Sequence, residues 1–366
     1  MTWKTTNKRR NMFNITRIKT LFACLLMAAI LGSEAMAKTV IRYAEFGPNR
    51  GARAEALKWW ADEIANRTSG EVEVEFHWGK ALLGTKAVLQ GVSDGVADAG
   101  SIIGFFTPKE LRGYNIGDLP VENSDEWVGM RALYEYSNEN PSMQKEWSDS
   151  GVVYMTNYTT GPIQLICKSP TSSVAELAGV KVRASGPYGK ALESLGADVQ
   201  RMGQGDVYQA LDSGLIECNQ NYYYSMKAYK QYEVASHVVE LDWGQNMAFG
   251  IVMNAAAWNA LPDSQKEAIR SVNSDFIDYM AKIMIEGLES DKAEMIAGID
   301  GKAIDVSAFP QGDREKLLAA GRAQVDAWVA QATEEGHDGA AMLADYTAAI
   351  DKYTAELESK GYPWNR

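Results

Sequence analysis

The chain has 366 residues, with 36 Lys or Arg against 48 Asp or Glu and a formal net charge of −12. A surface that acidic disfavours nucleic acid and anionic lipid as partners, so any site for an anion must rest on local charge. Three histidines (His77, His237, His337) stand apart from one another and from the cysteines, which gives no metal-ligand spacing.

The N-terminus reads as an export signal over residues 1–37. Lys8, Arg9, Arg10, Arg17 and Lys19 form a basic region, residues 21–32 an apolar core, and Ala35-Met36-Ala37 a small-residue cleavage site. An apolar core of about a dozen residues is short of the ~20 that span a bilayer. Cleavage after Ala37 removes six basic residues and one acid, leaving net −17 over 329 residues, soluble and periplasmic. A chain of that length exceeds one comfortable core, so two lobes are expected. Of the cysteines beyond the leader, Cys167 and Cys218 lie in separate apolar runs, "IQLICK" and "GLIECN". Unpaired buried thiols are expected, with a pair in an oxidising compartment left open.

From residue 38 the chain alternates. "TVIRYAEFG" is strand-like. "RAEALKWWADEIANRT" places Leu57, Trp60 and Ile64 on one helical face, and "EVEVEFHW" alternates again before a glycine turn and a helix to about Asp94. "VADAGSII" adds a strand, and this β-α-β-α-β rhythm predicts a parallel sheet with helices on both faces. The rhythm repeats after residue 150 through "GVVYMTNY", "PIQLICKS", "GVKVRA", a helix at 187–196, "ADVQRM", a helix at 204–213 and "LIECNQ". "SHVVELDW" and "MAFGIVMN" are strands returning, and residues 262–299 form one very long helix or two abutting ones, long enough to join two lobes. The fold class is therefore α/β and two-lobed, with crossing strands and a long interlobe helix. Lobe I takes 38–157 and 248–287; lobe II takes 158–247 and 288–366 with the C-terminal helices.

The G-x-S-x-G spacing occurs at Gly91–Gly95, but at the end of the helix that runs to about Asp94 and not at the strand-to-helix turn of a nucleophile elbow; no H-E-x-x-H, P-loop or C-x-x-C is present, so neither catalysis nor a cofactor is expected. Instead, polar and aromatic groups gather at strand ends, where α/β folds place their ligands. Arg183 ends "VKVR" just before the turn Ser185-Gly186-Pro187. Asn221, Tyr222 and Tyr223 follow "LIEC", and Phe46, Asn49 and Arg50 follow the first strand. Trp243 lies in "LDWGQN", Gln164 in "PIQLI", and Ile103 and Phe105 in "SIIGFF".

Four stretches, in order behind a signal sequence, resemble the extracytoplasmic solute-binding proteins of TRAP transporters, the DctP type. They are "ANRTSGEVEVEFHWGKALLGTKAVLQGVSDGVADAG", "LAGVKVRASG", "LDSGLIECNQN" (a loose match) and "IVMNAAAWNALPDSQKEAI". The resemblance implies two lobes closing on a small organic acid, delivery to a permease of small and large membrane subunits, and Arg183 as the grip on the ligand carboxylate. A guanidinium suits that work because its planar fork matches a carboxylate and keeps its charge on burial. Asn221 and Gln164 are then expected to hydrogen-bond the acid, with Tyr222, Tyr223 and Tyr224, Phe46 and Trp243 covering its body. Where several members carry a second arginine, this chain reads "GPIQLI", and Ile103, Phe105 and Phe106 make an apolar wall. One firm anchor, with Arg50 as a further cation, favours an aromatic or hydrophobic monocarboxylate. A C4-type dicarboxylate and a periplasmic enzyme acting on a small carboxylate are the alternatives.

Overall fold

The computed structural model describes Met1, residues 38–123 and residues 125–366; the export signal expected at 1–37 lies almost wholly outside them. In chain order come β1 (Thr39–Ala44), α1 (Gly51–Arg67), β2 (Val72–His77), α2 (Val88–Ser93), β3 (Ala99–Ile103), α3 (Glu126–Glu139), α4 (Pro141–Asp149), β4 (Val152–Tyr158) and β5 (Pro162–Cys167). Next are β6 (Lys181–Arg183), α5 (Gly186–Ser194), β7 (Asp198–Gln200), α6 (Val207–Asp212), β8 (Cys218–Asn221), α7 (Tyr223–Ala228) and β9 (His237–Gln245). The chain ends with β10 (Phe249–Asn254), α8 (Ala255–Ala260), α9 (Asp263–Ala297), β11 (Asp305–Ala308), α10 (Gln311–Glu334) and α11 (Gly339–Lys360).

Two sheets organise these elements, ordered β2-β1-β3-β10-β4 and β11-β9-β5-β8-β6-β7. The chain passes from the first to the second between β4 and β5 and returns between β9 and β10, so two crossings join the lobes. Neither sheet is purely parallel as expected. β10 runs antiparallel to both β3 and β4, and β5 antiparallel to β8 and β9. The outgoing and returning crossings travel in opposite directions, and that alone forces antiparallel neighbours where they pair.

Strand alternation splits the second lobe's core into two layers. Ile163, Leu165, Val239, Leu241 and Trp243 pack on one face of the sheet, and Ile166 and Val238 on the other. Cys167 and Cys218 face each other across β5 and β8 and form a disulfide, where unpaired thiols were expected. Register decides this: runs 51 positions apart in sequence become directly opposed neighbours.

The long segment is a single helix, α9, of 35 residues, about 52 Å at 1.5 Å per residue. Ile269, Val272, Phe276, Ile277 and Met280 pack into the first lobe's core, and Met295 into the second's. α10 also reaches both, through Leu317 in the second core and Trp328 and Ala332 in the first. The C-terminal residues do not all travel with the second lobe as expected. Met342, Tyr346 and Ala349 of α11 belong to the first core, and α11 lies along α3. Their 3- and 4-residue spacing makes one apolar stripe, which sequence shows without naming the surface that covers it.

Candidate functional site

The two sheets face a cleft of about 1120 Å³. Arg183 enters it from the end of β6, a three-residue strand held between β7 and β8. Val182 anchors that strand in the core, so its neighbour Arg183 points the opposite way. Arg183 is 9% exposed, and its Nε donates to the Met202 carbonyl at 3.1 Å. Among the described residues no carboxylate forms an ion pair with it, and burial holds its pKa below the ordinary arginine value. A desolvated cation without a counter-charge is costly unless an anion is brought to it.

Tyr222, Tyr224 and Tyr229 line the cleft beside Arg183, with the Tyr222 and Tyr224 rings stacked at 5.0 Å. Burial raises the Tyr222 hydroxyl to about 12, against the pull of Arg183. Across the cleft lies Arg53 of α1, 6% exposed, whose guanidinium sits 5.3 Å from the Phe46 ring centre. Its Nη1 donates to Glu45 at 2.8 Å and its Nη2 to the Pro48 carbonyl at 3.1 Å. Burial works against the Arg53 charge, and Glu45 together with Tyr158, Tyr224 and Tyr229 more than restores it. A Cβ on Gly47 would stand 1.8 Å from Nη1, so this pose of Arg53 requires glycine there. Tyr222 and Tyr229 each feel both guanidinium charges, so both tyrosines lie within reach of the two lobes' arginines.

Of the residues singled out by sequence, Arg183, Tyr222, Phe46, Arg50, Ile103 and Phe105 line the cleft. Arg50 also donates to the Ala228 carbonyl, tying α1's start to the end of α7. Five do not line it. Asn221 donates to Gln231 at 2.7 Å, and Asn219 to the same oxygen at 2.9 Å. Gln220, between them on β8, turns the other way and lines the cleft, its oxygen accepting the Ser185 N–H at 3.1 Å. The period of two decides which amide serves the site. Gln164 is occupied by Asp242 at 2.8 Å and by the Leu241 N–H at 2.6 Å. Tyr223 donates to Glu240 at 2.8 Å, away from the cleft. Trp243 is buried in the second core, edge-on to Tyr188 at 5.2 Å, and Asn49 is exposed outside the lining.

Sequence reasoning missed Arg53 and the α10 wall. Nothing in "RAEALKWW" marks its arginine as buried; only the contact with Glu45, eight residues earlier, reveals it. The cleft concentrates positive charge in an acidic chain. Lys80, Lys86 and Lys190 join the arginines in its lining, where Asp206 is the single acid among the described residues. Low-dielectric walls focus such a field on an entering anion.

A family model described as bacterial extracellular solute-binding protein, family 7 (DctP) matches residues 44–332. A solute-binding protein of Chromohalobacter salexigens is 23% identical over 319 residues, covering 83% of this chain and 90% of its own. The C4-dicarboxylate-binding periplasmic protein DctP of Rhodobacter capsulatus is 24% identical over 238 residues, covering 63% and 69%. The crystal structure of a TRAP solute-binding protein from Rhodoferax ferrireducens, in complex with copurified benzoate, superposes with a TM-score of 0.78. It is 20% identical, covering 87% of this chain and 100% of its own.

Proposed function

Since the chain belongs to bacterial extracellular solute-binding protein family 7, the solute receptors of TRAP transporters, we propose that it captures an aromatic or otherwise hydrophobic monocarboxylate and delivers it to a permease of small and large membrane subunits. The observation that carries this is Arg183: buried, at the cleft surface, and without an acid partner among the described residues. The acid's carboxylate supplies the missing counter-charge, and Phe46, Phe105, Tyr222 and Tyr224 cover its body. Contacts from both lobes favour the closed state by differential affinity. The benzoate held by the Rhodoferax relative accords with this ligand class.

A C4-type dicarboxylate is the second reading, favoured by Arg53 opposite Arg183 and by the name of the Rhodobacter relative. Against it, the Arg53 charge is already met by Glu45, and β5 offers only Gln164, itself engaged. Thermal shift and calorimetry with benzoate and succinate separate the two: stabilisation by benzoate is expected, and stabilisation by succinate or malate alone overturns the aromatic assignment.

The protein binds its acid without converting it, so mass spectrometry is expected to recover the ligand unchanged. It is exported to the periplasm, where the Cys167–Cys218 pair suits an oxidising compartment. The periplasmic form is expected to begin at Lys38, readable from its intact mass.

A further inference from the structure

Lys80 stands on a strained turn that lines the cleft. Gly79 and Lys80 both take positive φ, +67° and +68°, and the Ala81 N–H donates to the Trp78 carbonyl at 3.3 Å, the pattern of a type I′ turn. Glycine, asparagine or aspartate is usual at such positions, so a left-handed lysine there is held against its preference. The turn is pinned within the first lobe. The Gly79 N–H donates to the Gly47 carbonyl at 2.8 Å and the Lys80 N–H to the Glu45 carbonyl at 3.1 Å, in the segment that also holds Arg53. From this fixed base the Lys80 side chain reaches the second lobe. Its Nζ lies 3.6 Å from where a Cβ on Gly203 would be and 3.9 Å from one on Gly205.

Gly203 has φ −67° and ψ 147°, extended backbone that any residue adopts, so conformation does not call for glycine there. A side chain would instead crowd the space where Lys80 meets Asp206, whose Oδ2 stands 3.3 Å from the same Cβ position. Lys80 and Asp206 are both exposed and both face this bare glycine, yet among the described residues neither forms an ion pair. Next to Gly203 in the chain, the Met202 carbonyl accepts the Nε–H of Arg183. The turn that faces Lys80 thus also carries the backbone partner of the carboxylate anchor.

We propose that Lys80 and Asp206 form an interlobe clasp, an ion pair completed as the lobes close on the bound acid, which slows the acid's release. This rests on capture of a small acid in the cleft, whichever acid it is. Stopped-flow kinetics and calorimetry with benzoate on the full mature chain compare Lys80→Met, Asp206→Asn and the double variant. Each single variant is expected to raise the dissociation rate constant about threefold, the scale of an exposed ion pair. The double variant is expected to go no further, and the ligand-free melting temperature to stay unchanged in all three. Asp206→Asn is the deciding variant. A cleft that is merely electropositive binds an anion more tightly once an acid is removed, whereas loss of a clasp weakens binding. Tighter or unchanged binding by Asp206→Asn, or single effects that simply add, overturns the clasp. Carbodiimide coupling, which joins an amine to a carboxylate in contact, gives a readout that needs no ligand. A Lys80–Asp206 amide is expected by mass spectrometry in the ligand-free chain, and in higher yield with benzoate. Failure of benzoate to bind overturns the aromatic reading alone, and absence of that amide then overturns the clasp.

Discussion

Arg183 and Arg53 are both buried guanidiniums at one cleft, yet their surroundings give them different parts. Arg53 arrives with its own carboxylate, Glu45, whereas Arg183 has a backbone carbonyl and nearby tyrosines. Removing Arg183 therefore strands a desolvated ligand carboxylate. Arg183→Ala is expected to weaken benzoate binding by about 2–5 kcal/mol, the range for truncating one partner of a buried charge pair. Calorimetry that finds unchanged affinity removes Arg183 as the anchor. Glu45→Gln tests the other arginine, since it leaves Arg53 without a counter-charge. Affinity for succinate is expected to rise relative to benzoate, and an unchanged ratio shows that Arg53 does not face the ligand.

At the scale of elements, the disulfide and two buried acids bear on stability. The Cys167–Cys218 bond closes a loop of 51 positions between neighbouring antiparallel strands. Replacing both cysteines by serine is expected to cost about 2–4 kcal/mol, read from the urea midpoint. A buried carboxyl from outside the crossings packs against each of them. Glu126 Oε1 lies 3.5 Å from where a Cβ on Gly161 would be, and Asp118 accepts the Ala248 N–H at 3.3 Å. Burial raises Glu126 to about 8 and Asp118 to about 7. Both hold a proton in the folded protein that the unfolded chain releases near pH 4. Their contribution to stability is thus complete below that pH and is lost as pH rises through 7 to 8. Melting temperature is expected to fall between pH 5 and pH 8.5. Glu126→Gln is expected to flatten the upper part of that slope; a slope unchanged in the variant excludes Glu126 as its source.

For the molecule as a whole, two crossings and two long helices connect the lobes, and the cleft between the sheets is larger than one small acid. For a receptor of the proposed kind, rotation about the two crossings is the expected closing motion. Small-angle scattering is expected to show a smaller radius of gyration with saturating benzoate than without it. An identical radius in both states indicates capture without closure.

Much of this architecture is legible in the sequence because it is local. Alternation marks the strands, helical spacing marks α1 and α9, and "VKVRASGP" sets a charge between a core strand and a turn. Arg183 stood out by its place at the end of a core strand and by the resemblance of "LAGVKVRASG" to a family motif. What sequence left undecided was nonlocal. Strand register opposed Cys167 to Cys218, and strand facing chose Gln220 over Asn221. Packing buried Arg53 against Glu45, and a helix from the far end of the chain, α10, came to wall the cleft. Periodicity tells a side chain which face of its own element it occupies; only tertiary packing decides what that face meets.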